Sequence, residues 1–154
     1  MSWQLAQLNI AQVLAPLDSP GMADFANALG RVNALAEASP GFLWRWVTPA
    51  GDSSEERVFG PGMLVNVSVW GSLEALRSFA YAGTHLDFLR RRREWFQPLA
   101  RASLVLWWVP SGHRPALEEA AERLALLDAR GPCAMAFSFR EHFPAPPADR
   151  PPHG

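Results

Sequence analysis

Residues 103–109, Ser-Leu-Val-Leu-Trp-Trp-Val, are apolar on both alternating sides, and this constrains the fold more than any other segment. Successive side chains of a strand point to opposite faces, so a strand of this composition is buried on two sides and its sheet needs cover above and below. Pro110 lacks the N–H of a ladder residue and ends the strand.

The remaining segments supply the other layers. Residues 3–10, Trp-Gln-Leu-Ala-Gln-Leu-Asn-Ile, read as the first strand, ahead of the breaker Ala15-Pro16-Leu17-Asp18-Ser19-Pro20. Ser19 can cap a helix and Pro20 fits its first turn, after which Met22, Phe25, Leu29 and Val32 recur at helical spacing until Ser39-Pro40-Gly41. A strand over 42–48 puts Phe42, Trp44 and Trp46 on one side, and a polar loop containing Glu55 and Glu56 follows. From Met63 to Trp70 the alternation is clean: Met63, Val65, Val67 and Val69 face one way, and Leu64, Asn66, Ser68 and Trp70 the other. Ser72 caps a helix carrying Leu73, Leu76 and Phe79, and beyond Gly83 a helix is expected over 84–96. A further helix runs from Pro115 to Leu127 with the stripe Leu117, Leu124 and Leu127, and Met135 to Phe143 is read as a last strand. The proline-dense residues 144–154 are expected to be a disordered tail, leaving one domain over residues 1–143.

The order strand, helix, strand, strand, helix, strand, helix, strand is an α+β pattern, with helices laid on one face of a mainly antiparallel sheet. The second apolar face then needs another cover. A partner subunit would supply it, so a homodimer is expected.

Composition removes several function classes. The 154 residues suffice for a core without disulfides or a structural metal. A net charge of -1 gives no basic field for nucleic acid, and all 14 cationic residues are arginine. The absence of lysine excludes a lysine Schiff base. Cys133 stands alone, so there is no intramolecular disulfide, and His85, His113, His142 and His153 are too scattered for a zinc motif; no metal is expected. Neither a signal-peptide pattern nor a membrane span is present, which makes a cytoplasmic protein the expectation. Gly60-Pro61-Gly62 reads as a turn before a strand, Ser111-Gly112-His113 as a turn before a helix, and Glu118-Glu119 as part of an exposed helix face.

The candidate site comes from residues 84–96. At about 100° per residue, His85, Phe88, Arg92 and Trp95 fall on one helical stripe, so a histidine and an arginine share a face with bulky apolar groups. Arg92, between Phe88 and Trp95, is expected to point inward, and Arg90, Arg91 and Arg93 toward water. A plain structural reading stands beside this: an arginine stem covers apolar surface, and a lone histidine on an apolar face is often a hydrogen-bonded core residue.

The segments Leu5-Ala6-Gln7-Leu8-Asn9-Ile10, Ser39-Pro40-Gly41-Phe42-Leu43-Trp44-Arg45, Val67-Ser68-Val69-Trp70, His85 to Phe96 and Leu106-Trp107-Trp108-Val109-Pro110 resemble a bacterial family of unknown function within the dimeric α+β barrel superfamily. The resemblance implies a ferredoxin-like protomer whose sheet packs on its partner's sheet, with a cavity between sheet and helices. Relatives in that superfamily include cofactor-free monooxygenases of antibiotic biosynthesis, polyketide cyclases, haem-binding enzymes and stress-responsive binding proteins, so the fold alone does not choose a function. The leading expectation is a monooxygenase-like enzyme without a cofactor, acting on a small hydrophobic molecule, aromatic or polyketide-like. His85 would act as general base or hydrogen-bond donor and Arg92 would stabilise an enolate or phenolate, with Asn9, Asn66, Ser68, Trp70 and Trp95 binding substrate. Two alternatives remain: a haem protein with His85 as axial ligand, and a dimer that binds a small molecule without chemistry.

Overall fold

The computed structural model describes residues 2–16, 18–48, 54–81, 90–99 and 102–147. At its centre lies β1 (Trp3–Val13), flanked by β3 (Met63–Trp70) on one edge and β5 (Leu104–Pro110) on the other, both antiparallel. A short β2 (Phe42–Arg45) pairs with β3, and the two-residue β4 (Phe96–Gln97) continues the β5 edge beside Gln12 and Val13. The strand order β2-β3-β1-β5, with α1 (Ala23–Ala38) joining β1 to β2 and α3 (Leu73–Ala80) following β3, is the split βαβ arrangement of a ferredoxin-like α+β fold.

Period-two alternation divides the core between the two faces of this sheet. Leu5, Trp70 and Leu106 pack beneath Ala36 of α1 and Leu73 and Leu76 of α3. On the reverse face, Ala6, Leu8, Val67, Val105 and Trp107 pack against α5 (Leu117–Arg130) and Phe59 of α2 (Ser54–Phe59). Thus α1 and α3 lie on one face as expected, while the face for which a partner was invoked is dressed by α2 and α5 of the same chain. The buried stripe of α5, Leu117, Ala120, Leu124 and Leu127, runs the length of that helix. Burying each leucine is worth about 1.5–3 kcal/mol, enough to hold the helix on bare sheet.

Capping chemistry sets the helix limits. The Ser72 hydroxyl accepts from the Ala75 N–H at 3.1 Å, and α5 ends at Gly131, whose φ of 75° returns its N–H to the Leu127 carbonyl. Gly41 (φ 86°) marks a close approach: a Cβ there would lie 2.5 Å from that of Ala75, and its carbonyl accepts the Gly71 N–H at 2.7 Å.

Three segments depart from their sequence reading. Glu55 and Glu56 lie in the first turn of α2, not in a loop, where carboxylates complement the helix N-terminus, with Arg57 toward its end. Residues 135–143 do not form a strand: Phe137 exchanges two hydrogen bonds with Leu106, and the chain then turns, the Ser138 N–H bonding the Glu141 carbonyl. That turn lets Phe143 close on Phe137 and its carbonyl accept the Trp108 indole N–H at 2.9 Å. Within the expected 84–96 helix, Arg90 is helical, Arg91 is a turn residue and α4 (Arg92–Trp95) follows before β4; residues 84–89, with His85, Phe88 and Leu89, lie outside the described residues. Of the expected tail, residues 144–147 are exposed and the remainder lies outside the described residues. No helix among the described residues is long and apolar enough to cross a membrane.

Candidate functional site

On the sheet face beneath α1 and α3, the β1–β3 register aligns Leu5 with Trp70, Gln7 with Ser68, Asn9 with Asn66 and Ala11 with Leu64. The two apolar ends of this face serve different clusters. Leu5 and Trp70 join the α1–α3 core, and Leu64 and Val13 join a second cluster of Met22, Phe25 and Trp95. Between them runs a polar band of Gln7, Asn9, Asn66 and Ser68.

Hydrogen bonding fixes the polarity of that band. The Gln7 Nε2 lies 3.3 Å from the Asn66 main-chain carbonyl, an obligate acceptor, so this atom must be the amide nitrogen. The same nitrogen donates to the Asn66 Oδ1 and, at 2.8 Å, to the Ser68 Oγ. With its Oδ1 accepting from Gln7, Asn66, an exposed residue, keeps its NH2 as donors. The Ser68 Oγ also accepts the Trp70 indole N–H at 2.8 Å. Both its lone pairs are therefore used, and its own proton is left to donate. Gln7 and Ser68 are each 5% exposed, the two buried polar residues of the described core, so the network sits where water competes poorly.

The sequence-derived residues fall into three groups. Asn9, Asn66 and Ser68 share the band, with Asn9 exposed beside Asn66. Trp70 and Trp95, 1% and 2% exposed, are walls within the two apolar clusters, Trp70 stacked on Phe79 and Trp95 tilted against Phe25 at 5.3 Å. Arg92 does not point inward: it is exposed, and Arg91 takes the inner position, its guanidinium 4.7 Å from the Trp95 ring centroid. The reason is local. Arg91 is the non-helical cap of a one-turn helix, so the angular register of a continuous 84–96 helix does not apply. His85 lies outside the described residues. Gln7, absent from the sequence-derived residues, shares the parity of Leu5 and Asn9 that places it on the same face and marks it as a buried amide needing partners.

Arg91 also ties α4 to the start of α1, bonding Asp24 at 3.0 Å and Glu94 at 2.9 Å. The guanidinium holds the Glu94 carboxyl below its ordinary value of 4.5, hydrogen bonding being the main cause, and the carboxylates raise Arg91 further. A carboxylate depressed on folding contributes stability that is full above its unfolded pKa and is lost as pH falls through the folded one. Arg91→Gln is accordingly expected to lower the urea midpoint at pH 7, with the gap to wild type closing as the pH is taken below 4.5. A gap that persisted undiminished in acid would show that this ion pair contributes nothing.

Among the described residues no cluster of three or more His, Cys, Asp or Glu side chains is arranged to hold a metal. Among curated proteins none matches the chain. Solved structures with a similar course include SnoaB, a cofactor-independent oxygenase from Streptomyces nogalater, at 16% identity over 73% of this chain and 97% of that one, TM-score 0.48. PA3566 from Pseudomonas aeruginosa is 19% identical over 75% and 98% of the two chains, TM-score 0.47. The NE2512 protein of unknown function from Nitrosomonas europaea is 14% identical over 74% and 96%, TM-score 0.47. The fold assignment itself rests on strand order and register. The family profile reaches further than any of these, matching residues 4–152, and the chain belongs to the DUF3291 family, a domain of unknown function.

Proposed function

We propose that the polar band is the floor of a small-molecule site of monooxygenase-like type, which stabilises an oxyanion on an apolar, aromatic or polyketide-like substrate. The observation that carries this reading is the polarity of Asn66, an exposed residue whose Oδ1 accepts from Gln7, which leaves its NH2 as the donor end. Pre-aligned donors beside apolar walls suit a phenolate or enolate, because they are in place before charge develops. Asn9, adjacent in register, and the free proton of Ser68 add donors to the same face.

His85 is the proposed base. It belongs to the segment joining α3, at the Trp70 end of the band, to α4, at the Leu64 end, and a neutral imidazole takes a phenolic proton near neutral pH. The substrate anion would then react directly with O2, with no cofactor required. Arg92, being exposed, is not used in this scheme. The homodimer belongs to the proposal too, and with α2 and α5 on the reverse face the partner would meet that helical layer, not bare sheet.

Asn66→Asp tests the reading, since it keeps an acceptor for Gln7 and replaces the donor by a negative charge. With tricyclic phenols and anthrone-type ketones in air, wild type is expected to consume O2 and Asn66→Asp to be about 100-fold slower, the usual effect of losing one oxyanion donor. Failure of the wild-type protein to bind or oxidise any of these compounds would overturn the assignment.

A further inference from the structure

The edge strand β2 carries a break in alternation that re-aims an arginine. Phe42 stands opposite Trp70 and Trp44 opposite Val69, so two steps along β2 match one along β3, and the extra residue, Leu43, is 48% exposed. A bulge of this kind turns the side chains beyond it to the other face. The set expected on one side, Phe42, Trp44 and Trp46, is divided accordingly: Phe42 packs with the α1–α3 core, and Trp44 and Trp46 with the core of the reverse face. Arg45 then falls opposite Ser68, on the face of the polar band. In unbroken register it would have stood opposite Val67, on the reverse face.

The guanidinium so placed is incompletely paired. The Arg45 side chain is 25% exposed, its Nε is shielded from solvent, and among the described residues that nitrogen makes no hydrogen bond. Glu37, on the last turn of α1, comes within 3.7 Å of it, an ion-pair distance too long for a hydrogen bond. A donor withdrawn from water without an acceptor costs free energy, which a bound acceptor restores. The edge formed by Nε and one Nη matches the two oxygens of a carboxylate. Ser68 opposite has a proton left to donate, and Asn66 lies two residues further along β3. With strands about 4.8 Å apart and a rise of about 3.4 Å per residue, Arg45 and Asn66 are roughly 8 Å apart on the sheet.

We propose that Arg45 is an anion subsite of the polar band: the substrate carries a carboxylate, held by Arg45 with the Ser68 hydroxyl, in addition to the phenol or ketone whose oxygen meets Asn66. This rests on the small-molecule site proposed above and narrows its substrate to acids. Glu37 is the resident counter-ion, and the incoming carboxylate takes its place on the guanidinium. An uncharged compound of the same shape leaves Arg45 to Glu37 and gains nothing there.

The full-length chain titrated near neutral pH with 6-hydroxy-2-naphthoate and, separately, with its methyl ester tests this, read by calorimetry and by the Trp70 indole N–H signal in NMR, which reports on Ser68. The acid is expected to bind about tenfold or more tightly than the ester and to move that signal, as a hydrogen-bonded charge pair should. Arg45→Gln should abolish the preference while leaving the ester's affinity unchanged. Glu37→Gln, which frees the guanidinium, should tighten the acid about two- to fivefold, the usual worth of a partly exposed ion pair. The Glu37 side chain is 51% exposed, so this variant decides the matter should Arg45→Gln fail to fold. No saturable binding of the acid, equal affinity for acid and ester, a preference that survives Arg45→Gln, or an acid affinity in Glu37→Gln no higher than wild type would each overturn the subsite. A preference for the acid without O2 uptake would support Arg45 and count against the oxygen chemistry, so the two readings fail separately.

Discussion

Replacement of Trp107 by alanine is expected to lower the free energy of unfolding by about 3–5 kcal/mol, the range for emptying a fully buried aromatic site. Trp107 has no exposed surface and stands opposite Ala6 in the ladder, so the face that packs against α5 depends on the indole for its bulk. The loss also strips one hydrogen bond from Glu119, which keeps His113 as its other partner. Folded domains have about 5–15 kcal/mol of stability in total, so the variant should sit near the edge of folding at room temperature. Trp107→Phe separates the two contributions: it restores most of the volume without the N–H, and should recover more than half of the loss. Urea unfolding followed by circular dichroism measures both. A Trp107→Ala variant within about 1 kcal/mol of wild type would mean that α5 does not depend on this contact.

Gln7→Leu should cost about 1–3 kcal/mol despite being close in volume and more apolar, because it withdraws a donor from the Ser68 Oγ, an acceptor that stays buried. The Ser68 Oγ keeps only the Trp70 bond, and the Asn66 Oδ1 loses its partner. Released from Gln7, the Asn66 amide is free to rotate, so the orientation on which the proposed chemistry depends is lost with the stability. Gln7→Glu should be worse, since it sets carboxylate oxygens against the two oxygens of Asn66. Unfolding midpoints and oxygen consumption measured on the same preparations check both effects. If Gln7→Leu matched wild type in each, the network would be neither structural nor functional.

The elements that were legible in sequence share one property: their signal is local and periodic. The two-sided apolar run ending at Pro110, the alternation from Met63 to Trp70 and the Ser72 cap each encode their own conformation, and each element appears where expected. The failures occur where a neighbour decides. Phe137 fits the alternation of a strand, but a single exchange with Leu106 is all the pairing it makes before the Ser138 turn. Arg91 and Arg92 are indistinguishable by type, and only the turn at Arg91, just before α4, chooses which of them covers Trp95.

The candidate site divides in the same way. Asn66, Ser68 and Asn9 were visible because polar residues on an otherwise apolar strand face need partners, and Gln7 obeyed the same rule without being singled out. Their hydrogen-bond polarity was not visible, because it depends on atoms of β1 meeting atoms of β3 about sixty residues away in the chain. The His113–Glu119–Trp107 relay was hidden for the same reason, its members lying on a turn, a helix and a strand.

Sequence by itself therefore determined the α+β class, the antiparallel strands and the amphipathic helices, since backbone periodicity and capping are written in neighbouring residues. Tertiary structure alone decided that α2 and α5 cover the second sheet face, that the Asn66 Oδ1 accepts from Gln7, and that Arg91 and not Arg92 covers Trp95. Each of these is settled by packing and pairing between distant segments, where one residue's partner is set by the whole fold and not by its own neighbours.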